Sequence, residues 1–260
     1  MTSVSYGPEV CRDLGAALKR EWKEKNNAGA SASSTILGTN TKPSHGLLSV
    51  LSGSGDQIVL LSGLDEILFV GDRPYPLSTH QFFNTAYPKG YLNLEYFYRM
   101  PFPTWIYRAE GLALVKMVIL VHGEQTVLIR YQFLSSYGDF VRLQVRPIFA
   151  FRKSKDLIYE TPERIPEMKT SQGAIELNPG HGLPKAHIMH NAGVVDREGF
   201  WFKRLSYHKL KREEDLYAPC SLLYAFLKED GVYLSVSTRF SHDFDPFLIG
   251  VKEKNLRKSG

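Results

Sequence analysis

Along most of the chain apolar and polar residues alternate with a period of two. Val127, Ile129, Tyr131 and Phe133 interleave with Thr126, Leu128, Arg130 and Gln132, and Val141, Leu143 and Val145 with Arg142, Gln144 and Arg146. Leu92, Leu94 and Tyr96 alternate with Asn93, Glu95 and Phe97, and Val232, Leu234 and Val236 with Tyr233, Ser235 and Ser237. Such spacing puts one set of side chains on each face of a strand, and a partly polar second face marks antiparallel sheets. Val10, Leu14 and Leu18 follow a helical spacing, which predicts one short helix between Val10 and Lys19. Turn signals at Gly53-Ser54-Gly55-Asp56, Gly71-Asp72, His122-Gly123-Glu124, Tyr137-Gly138-Asp139 and Asp230-Gly231 allow hairpins and meanders rather than helical crossovers. Many strands with almost no helix predict an all-β fold of two packed antiparallel sheets. Arg152 to Gly173, polar and carrying Pro162 and Pro166, reads as a long excursion at the sandwich edge.

The chain of 260 residues is read as a single β domain, with residues 1–20 as a helical lead-in and 241–260 as a tail or linker. Met1 fits a natural start, while the other end is open. At 43% hydrophobic and 23% charged the composition is that of ordinary globular material, and the net charge of +5 is modest. The basic stripe Lys203-Arg204, His208-Lys209, Lys211-Arg212 runs straight into Glu213-Glu214-Asp215, which blunts its field and argues against nucleic acid as a partner. That acidic run itself reads as solvated or capping. Cys11 and Cys220 lie far apart without metal or redox spacing and are expected as independent reduced thiols. Glu9, Arg12 and Asp13 stand where a signal peptide needs an apolar core, and Leu112 to Val121 is interrupted by Lys116 and too short to span a bilayer. The expectation is a cytoplasmic protein with no membrane contact.

Between Ala28 and Thr41 the chain has no charge, only small residues, Asn and two aliphatics. Small side chains let backbone approach a neighbouring sheet or a ligand closely. Asn40, Thr41 and His45 then set polar tips around a turn at Pro43 and Gly46, before a strand from Leu47. Sugar sites combine a flat aromatic with amides, carboxylates or Arg. Three groups have that mixture: Asn40 with Thr41 and His45; Trp105 with Tyr107 and Arg108; and Trp201 with Tyr207. Each Trp has a core reading beside it, and Trp22 is read as core. His181, His187 and His190 tempt a metal reading, but positions 187 and 190 face opposite sides of a strand and no carboxylate or Cys is near in sequence. No metal and no cofactor is called for.

The segment Glu21-Trp22, Ala32-Ser33, Thr35, Gly38, Asn40-Thr41 and His45-Gly46-Leu47-Leu48 resembles the N-terminal domain of bacterial and archaeal glycogen-debranching enzymes of the amylo-α-1,6-glucosidase type. Further matches follow in order: Leu60-Leu61-Ser62 with Leu64-Asp65-Glu66, Tyr75-Pro76-Leu77, Trp105 and Tyr107 with Gly111, His122-Gly123, Arg146-Pro147 with Arg152, then Trp201-Phe202, Tyr207 and Glu214-Asp215-Leu216 with Pro219. The departures are Lys25-Asn26-Asn27 for Thr-Asn-Gly, Gly29-Ala30 for paired glycines and Lys42-Pro43-Ser44 for Arg-x-Tyr.

The resemblance implies a large supersandwich like that of galactose mutarotase and of glucoamylase N-terminal domains. It also implies that hydrolysis belongs to a separate (α/α) barrel, for which these residues hold no helix pairs. Glycoside hydrolysis uses two carboxyls about 5 to 9.5 Å apart across the bond, whereas Asp65 and Glu66, adjacent on a strand, point to opposite faces. The chain is therefore expected to have no catalytic residue of its own. It would bind α-glucan, glycogen or maltooligosaccharide, or support a catalytic glucosidase domain or subunit. The alternatives are a stand-alone mutarotase-like epimerase using a His with a carboxylate, and a degenerate protein-interaction module, which the departures favour.

Overall fold

The computed structural model describes residues 4–134, 140–207, 210–225, 231–240 and 245–259. The turn expected at 137–139, residue 230, and His208-Lys209 of the basic stripe lie outside the described residues. Two large antiparallel sheets dominate. Sheet I has nine strands, in the order Ser5–Tyr6, Leu94–Tyr98, Thr104–Ala109, Leu112–Leu120, Thr126–Phe133, Val232–Ser237, Ala186–His190, Ala174–Asn178 and Glu167–Ser171. Sheet II runs from Val194–Asp196 through Ser221–Ala225, Val141–Lys153, Gln57–Val70, Gly46–Leu51 and Ser31–Thr35 to Glu21–Lys25. Its side branches are the hairpin Phe200–Tyr207/Arg212–Ala218 and the short strand Arg73–Pro76. The period of two thus produced the expected all-β sandwich.

One core lies between the sheets. Val127, Ile129, Tyr131, Leu114 and Leu234 of sheet I meet Leu48, Leu61, Leu68, Leu143 and Val145 of sheet II. A second cluster lies outside sheet II, where Phe202, Leu216 and Ala218 of the hairpin cover Val59, Ile148 and Ala150. Burial on both faces explains why Ser31–Thr35 contains no charge: all five of its residues are buried. The small-residue reading also holds at Gly46, where a Cβ would stand 2.8 Å from Val59 Cγ1 and 3.0 Å from Leu61 O.

Three local expectations need correction, and the stretch expected as a tail or linker contains an element of its own. The lead-in is two short helices, α1 (Pro8–Cys11) and α2 (Leu14–Leu18), because Asp13 accepts from Ala16 N at 2.8 Å and starts a new helix. Leu92, read as strand, sits in a 3-10 turn at Gly90–Asn93. The polar stretch from Arg152 is no single excursion: Arg152 and Lys153 end the long strand of sheet II, and Glu167–Ser171 is the edge strand of sheet I. The tail contains a third helix, α3 (Pro246–Ser259), whose first turn is capped by Asp245 Oδ1 accepting from Phe247 N at 2.8 Å and Leu248 N at 3.0 Å. It packs on the outside of sheet I, where Ile249 joins Phe102, Ile119 and Leu128. The alternating pattern hides this contact because Leu128 belongs to the nominally polar set. Among the described residues no helix is long and apolar enough to cross a membrane.

Candidate functional site

The turn after Ser31–Thr35 divides the first sequence group. Asn40 points toward a cleft under the hairpin, donating from Nδ2 to Ser62 O at 2.9 Å and Ser62 Oγ at 3.0 Å, and accepting from Ser34 Oγ at 2.9 Å. Thr41 and His45 turn the other way, toward Glu21 on the edge strand. Thr41 Oγ1 donates to Glu21 Oε1 at 3.2 Å, and His45 Nδ1 accepts from Thr41 N at 3.3 Å. His45 Nε2 stands 3.7 Å from Glu21 Oε2, which also pairs with Lys42 Nζ at 2.6 Å. Burial works against the Glu21 carboxylate, but Lys42 and His45 hold its pKa below the ordinary value. Glu21, Lys42 and His45 wall a groove of about 310 Å³ with Ser31, Ser33, Ser44, Gln57, Lys23 and Arg99, within the usual size range of ligand sites, roughly 300 to 1,000 Å³.

Behind this groove a buried clamp holds the turn in place. Arg152 and Glu214 form a bidentate pair, Nε to Oε2 at 2.7 Å and Nη2 to Oε1 at 2.6 Å, and Tyr207 hydrogen-bonds the same carboxylate. Arg152 Nη1 then donates to Pro43 O at 3.0 Å, tying the turn that carries Thr41 and His45 to the hairpin. Bulges on both sides of Phe149 re-aim the end of the strand so that Arg152 faces this outer layer. The reading of Glu213-Glu214-Asp215 as solvated or capping is therefore corrected for Glu214, which is fully buried. Asp215 caps no helix either: it accepts from the backbone N–H of Arg204 in the hairpin at 2.8 Å and of Glu160 in a loop at 3.0 Å.

The second sequence group is dispersed. Trp105, 1% exposed, donates from Nε1 to Ile36 O at 2.6 Å and packs edge-on against Trp22 and Phe97. Tyr107 is equally enclosed, and burial raises its phenol pKa well above normal. Arg108 lies on the opposite face of the same strand, paired with Glu95. Two in-facing aromatics and one out-facing cation present no common surface to a sugar. Trp201 is half-buried on the outer hairpin, its ring 5.0 Å from that of Tyr217, while Tyr207 belongs to the buried clamp. Of the loop histidines, His187 Nδ1 is 3.8 Å from a Glu176 carboxylate already paired with Lys185, and a cation so placed competes with a metal.

Sequence reasoning missed the group around Asp65. Asp65 and Glu66 do face opposite ways. Glu66 turns into the core and takes Lys116 Nζ at 2.7 Å and Tyr131 OH at 2.5 Å. Asp65 turns outward to His80 Nε2 at 3.0 Å and Arg146 Nη1 at 3.1 Å. Burial would raise the Asp65 carboxyl, but His80 and Arg146 outweigh it and hold its pKa below the ordinary range. An ionised carboxylate can only accept, so His80 carries its proton on Nε2. His80, Asn40 and Gln81 line the cleft beneath the hairpin, whose volume of about 40 Å³ suits water better than a sugar ring. The Asp65–Arg146 pairing was accessible in principle, as a cross-strand pair of opposite charge; His80 had no sequence signal.

The family model described as glycogen debranching enzyme N terminal matches residues 20–233 of the chain. No curated protein matches it.

Proposed function

The chain belongs to the glycogen debranching enzyme N-terminal family, and from that premise we propose that it is an α-glucan-recognition domain acting in glycogen breakdown. The carrying observation is the groove of Glu21, Lys42, His45, Ser31, Ser33, Ser44 and Gln57. It is built by the segment with the densest family resemblance, and it gathers hydroxyl, amide and charged groups of the kind that bind sugar hydroxyls. In this reading Thr41 and His45 shape and orient the groove, and Asn40 holds the turn from behind. Trp105 and Tyr107 support it through the core. Hydrolysis would fall to a partner (α/α) barrel, in a cytoplasmic setting. The carboxylates singled out in the sequence support binding over hydrolysis: Glu66 and Glu214 are sealed against Lys116 and Arg152, and Asp65 is held ionised, unsuited to donate a proton.

Titration with maltooligosaccharides and glycogen, by calorimetry or affinity electrophoresis, tests the proposal. Saturable binding that weakens in Lys42→Ala and Gln57→Ala supports it; no heat at millimolar ligand sinks it. A second reading, a mutarotase-like activity, is favoured by the His80–Asp65 dyad alone. It requires anomer exchange of a free aldose above the buffer rate by NMR, lost in His80→Gln.

A further inference from the structure

We propose that the larger cleft beside the glucan groove binds a phosphate monoester carried on a carbohydrate. The cleft lies where the edge strand Glu21–Lys25, residues 99–100, the end of the strand Leu112–Leu120 and α3 meet, and it encloses about 940 Å³. Lys23, Lys25, Arg99 and Arg257 are among its lining residues, together with Glu24 and Glu253. Both carboxylates are committed. Glu24 takes Arg99 Nε at 3.1 Å on one oxygen and Arg257 Nη1 at 3.0 Å on the other. Glu253, 5% exposed, accepts from the His122 backbone N–H at 2.7 Å. Lys23 and Lys25, two residues apart on one strand face and both exposed, have no acidic partner among the described residues. The cleft therefore carries a surplus of positive charge, which concave low-dielectric walls focus.

The arginines are held in place. Arg99 Nη2 donates to Lys23 O at 2.6 Å; Arg257 Nη1 donates to Pro101 O at 2.7 Å, and its guanidinium sits 4.7 Å from the Phe102 ring centroid. Fixed guanidiniums lose little freedom on gripping an oxyanion, and the lysines add point charges. A phosphate monoester has roughly −1.5 to −2 charge and three acceptor oxygens at neutral pH, a closer match to two unpaired lysines than one carboxylate. The carbohydrate follows from continuity. Lys23 and Arg99 also line the hydroxyl- and amide-rich groove, so one ligand can span both. That last step rests on the glucan reading; the anion site does not.

Calorimetric titration of the full chain with glucose 6-phosphate, phosphorylated maltooligosaccharide, inorganic phosphate and neutral maltooligosaccharide tests the proposal. The phosphate esters should bind saturably, more tightly than inorganic phosphate, and more weakly as salt rises. Lys25→Gln should weaken them about threefold to fivefold, a loss typical of one exposed ion pair. Lys23→Gln/Lys25→Gln should weaken them further, with the melting temperature unchanged. Tighter binding of the phosphorylated oligosaccharide than of glucose 6-phosphate assigns the ester to the polymer; the reverse assigns it to a free sugar phosphate. Esters that bind no better than neutral sugar, or equally in the double variant, overturn the site. Equal affinity for inorganic phosphate and both esters overturns its carbohydrate part. Ester binding without neutral-sugar binding leaves the proposal standing and removes the glucan groove instead.

Discussion

Glu214 and Glu21 each meet cationic neighbours at hydrogen-bond distance, yet one is sealed under a hairpin and the other opens on a groove. In the sealed clamp, Arg152, Tyr207 and Pro43 O use the polar atoms among themselves, and no water or ligand can replace a partner. At the edge, Lys42 and Glu21 keep solvent on one side, so a ligand hydroxyl can exchange with water at little cost. Identical chemistry thus stabilises the fold in one place and is available for recognition in the other. Enclosure decides, because removing solvent makes an ion pair costly to break.

The largest expected effects come from breaking the sealed region. Glu214→Ala leaves Arg152 charged and unpaired in the interior and should cost about 3 to 5 kcal/mol of stability in urea denaturation; joint replacement of Arg152 and Glu214 by apolar residues should recover most of it. Trp105→Ala should cost a similar amount, about 3 to 5 kcal/mol, through a core cavity. If Trp105→Ala instead left stability intact while abolishing glucan binding, its core assignment would be wrong.

Titration of buried His190 comes next. Burial lowers its pKa, its Nδ1 accepts from Ala192 N at 3.2 Å, and its Nε2 has no hydrogen-bond partner among the described residues. The unfolded chain therefore binds the proton more readily, near pH 6.5. Stability is full above that value and falls as the pH drops toward the lowered native pKa. His190→Gln should flatten the stability profile between about pH 6.5 and 5, and a profile identical to the parent's would refute this. At the open region, Lys42→Ala should change stability by less than about 1 kcal/mol while weakening maltooligosaccharide binding severalfold. The smallest expected signal is from the thiols. Burial pushes Cys11 up to about 11 and Cys220 to about 12, so a thiol reagent at pH 8 should label neither in the native state.

Much of the fold was legible. The strands Thr126–Phe133, Val141–Lys153 and Val232–Ser237 follow from alternation, because a two-residue period has one physical solution in a layered sheet. The same rule could have separated Trp105 and Tyr107 from Arg108, whose position in the strand puts it on the other face. Asp245-Pro246 could likewise have been read as a helix start, an N-cap followed by Pro. The groove was half legible: Thr41 and His45 were named, but Glu21 only as part of a motif, and Asn40 turned to the opposite side of the turn.

The amino-acid order alone determined the layering of the sheets, the opposed directions of Asp65 and Glu66, and the uncharged strand Ser31–Thr35 that had to be covered on both faces. Each rests on local periodicity and on the cost of burying charge. Only the tertiary structure decided which carboxylates are sealed and which are open. Arg152 reaches Glu214 across 62 positions of sequence, and Pro43 across 109. Enclosure is the sum of contacts from elements distant in the chain, and no local window contains it.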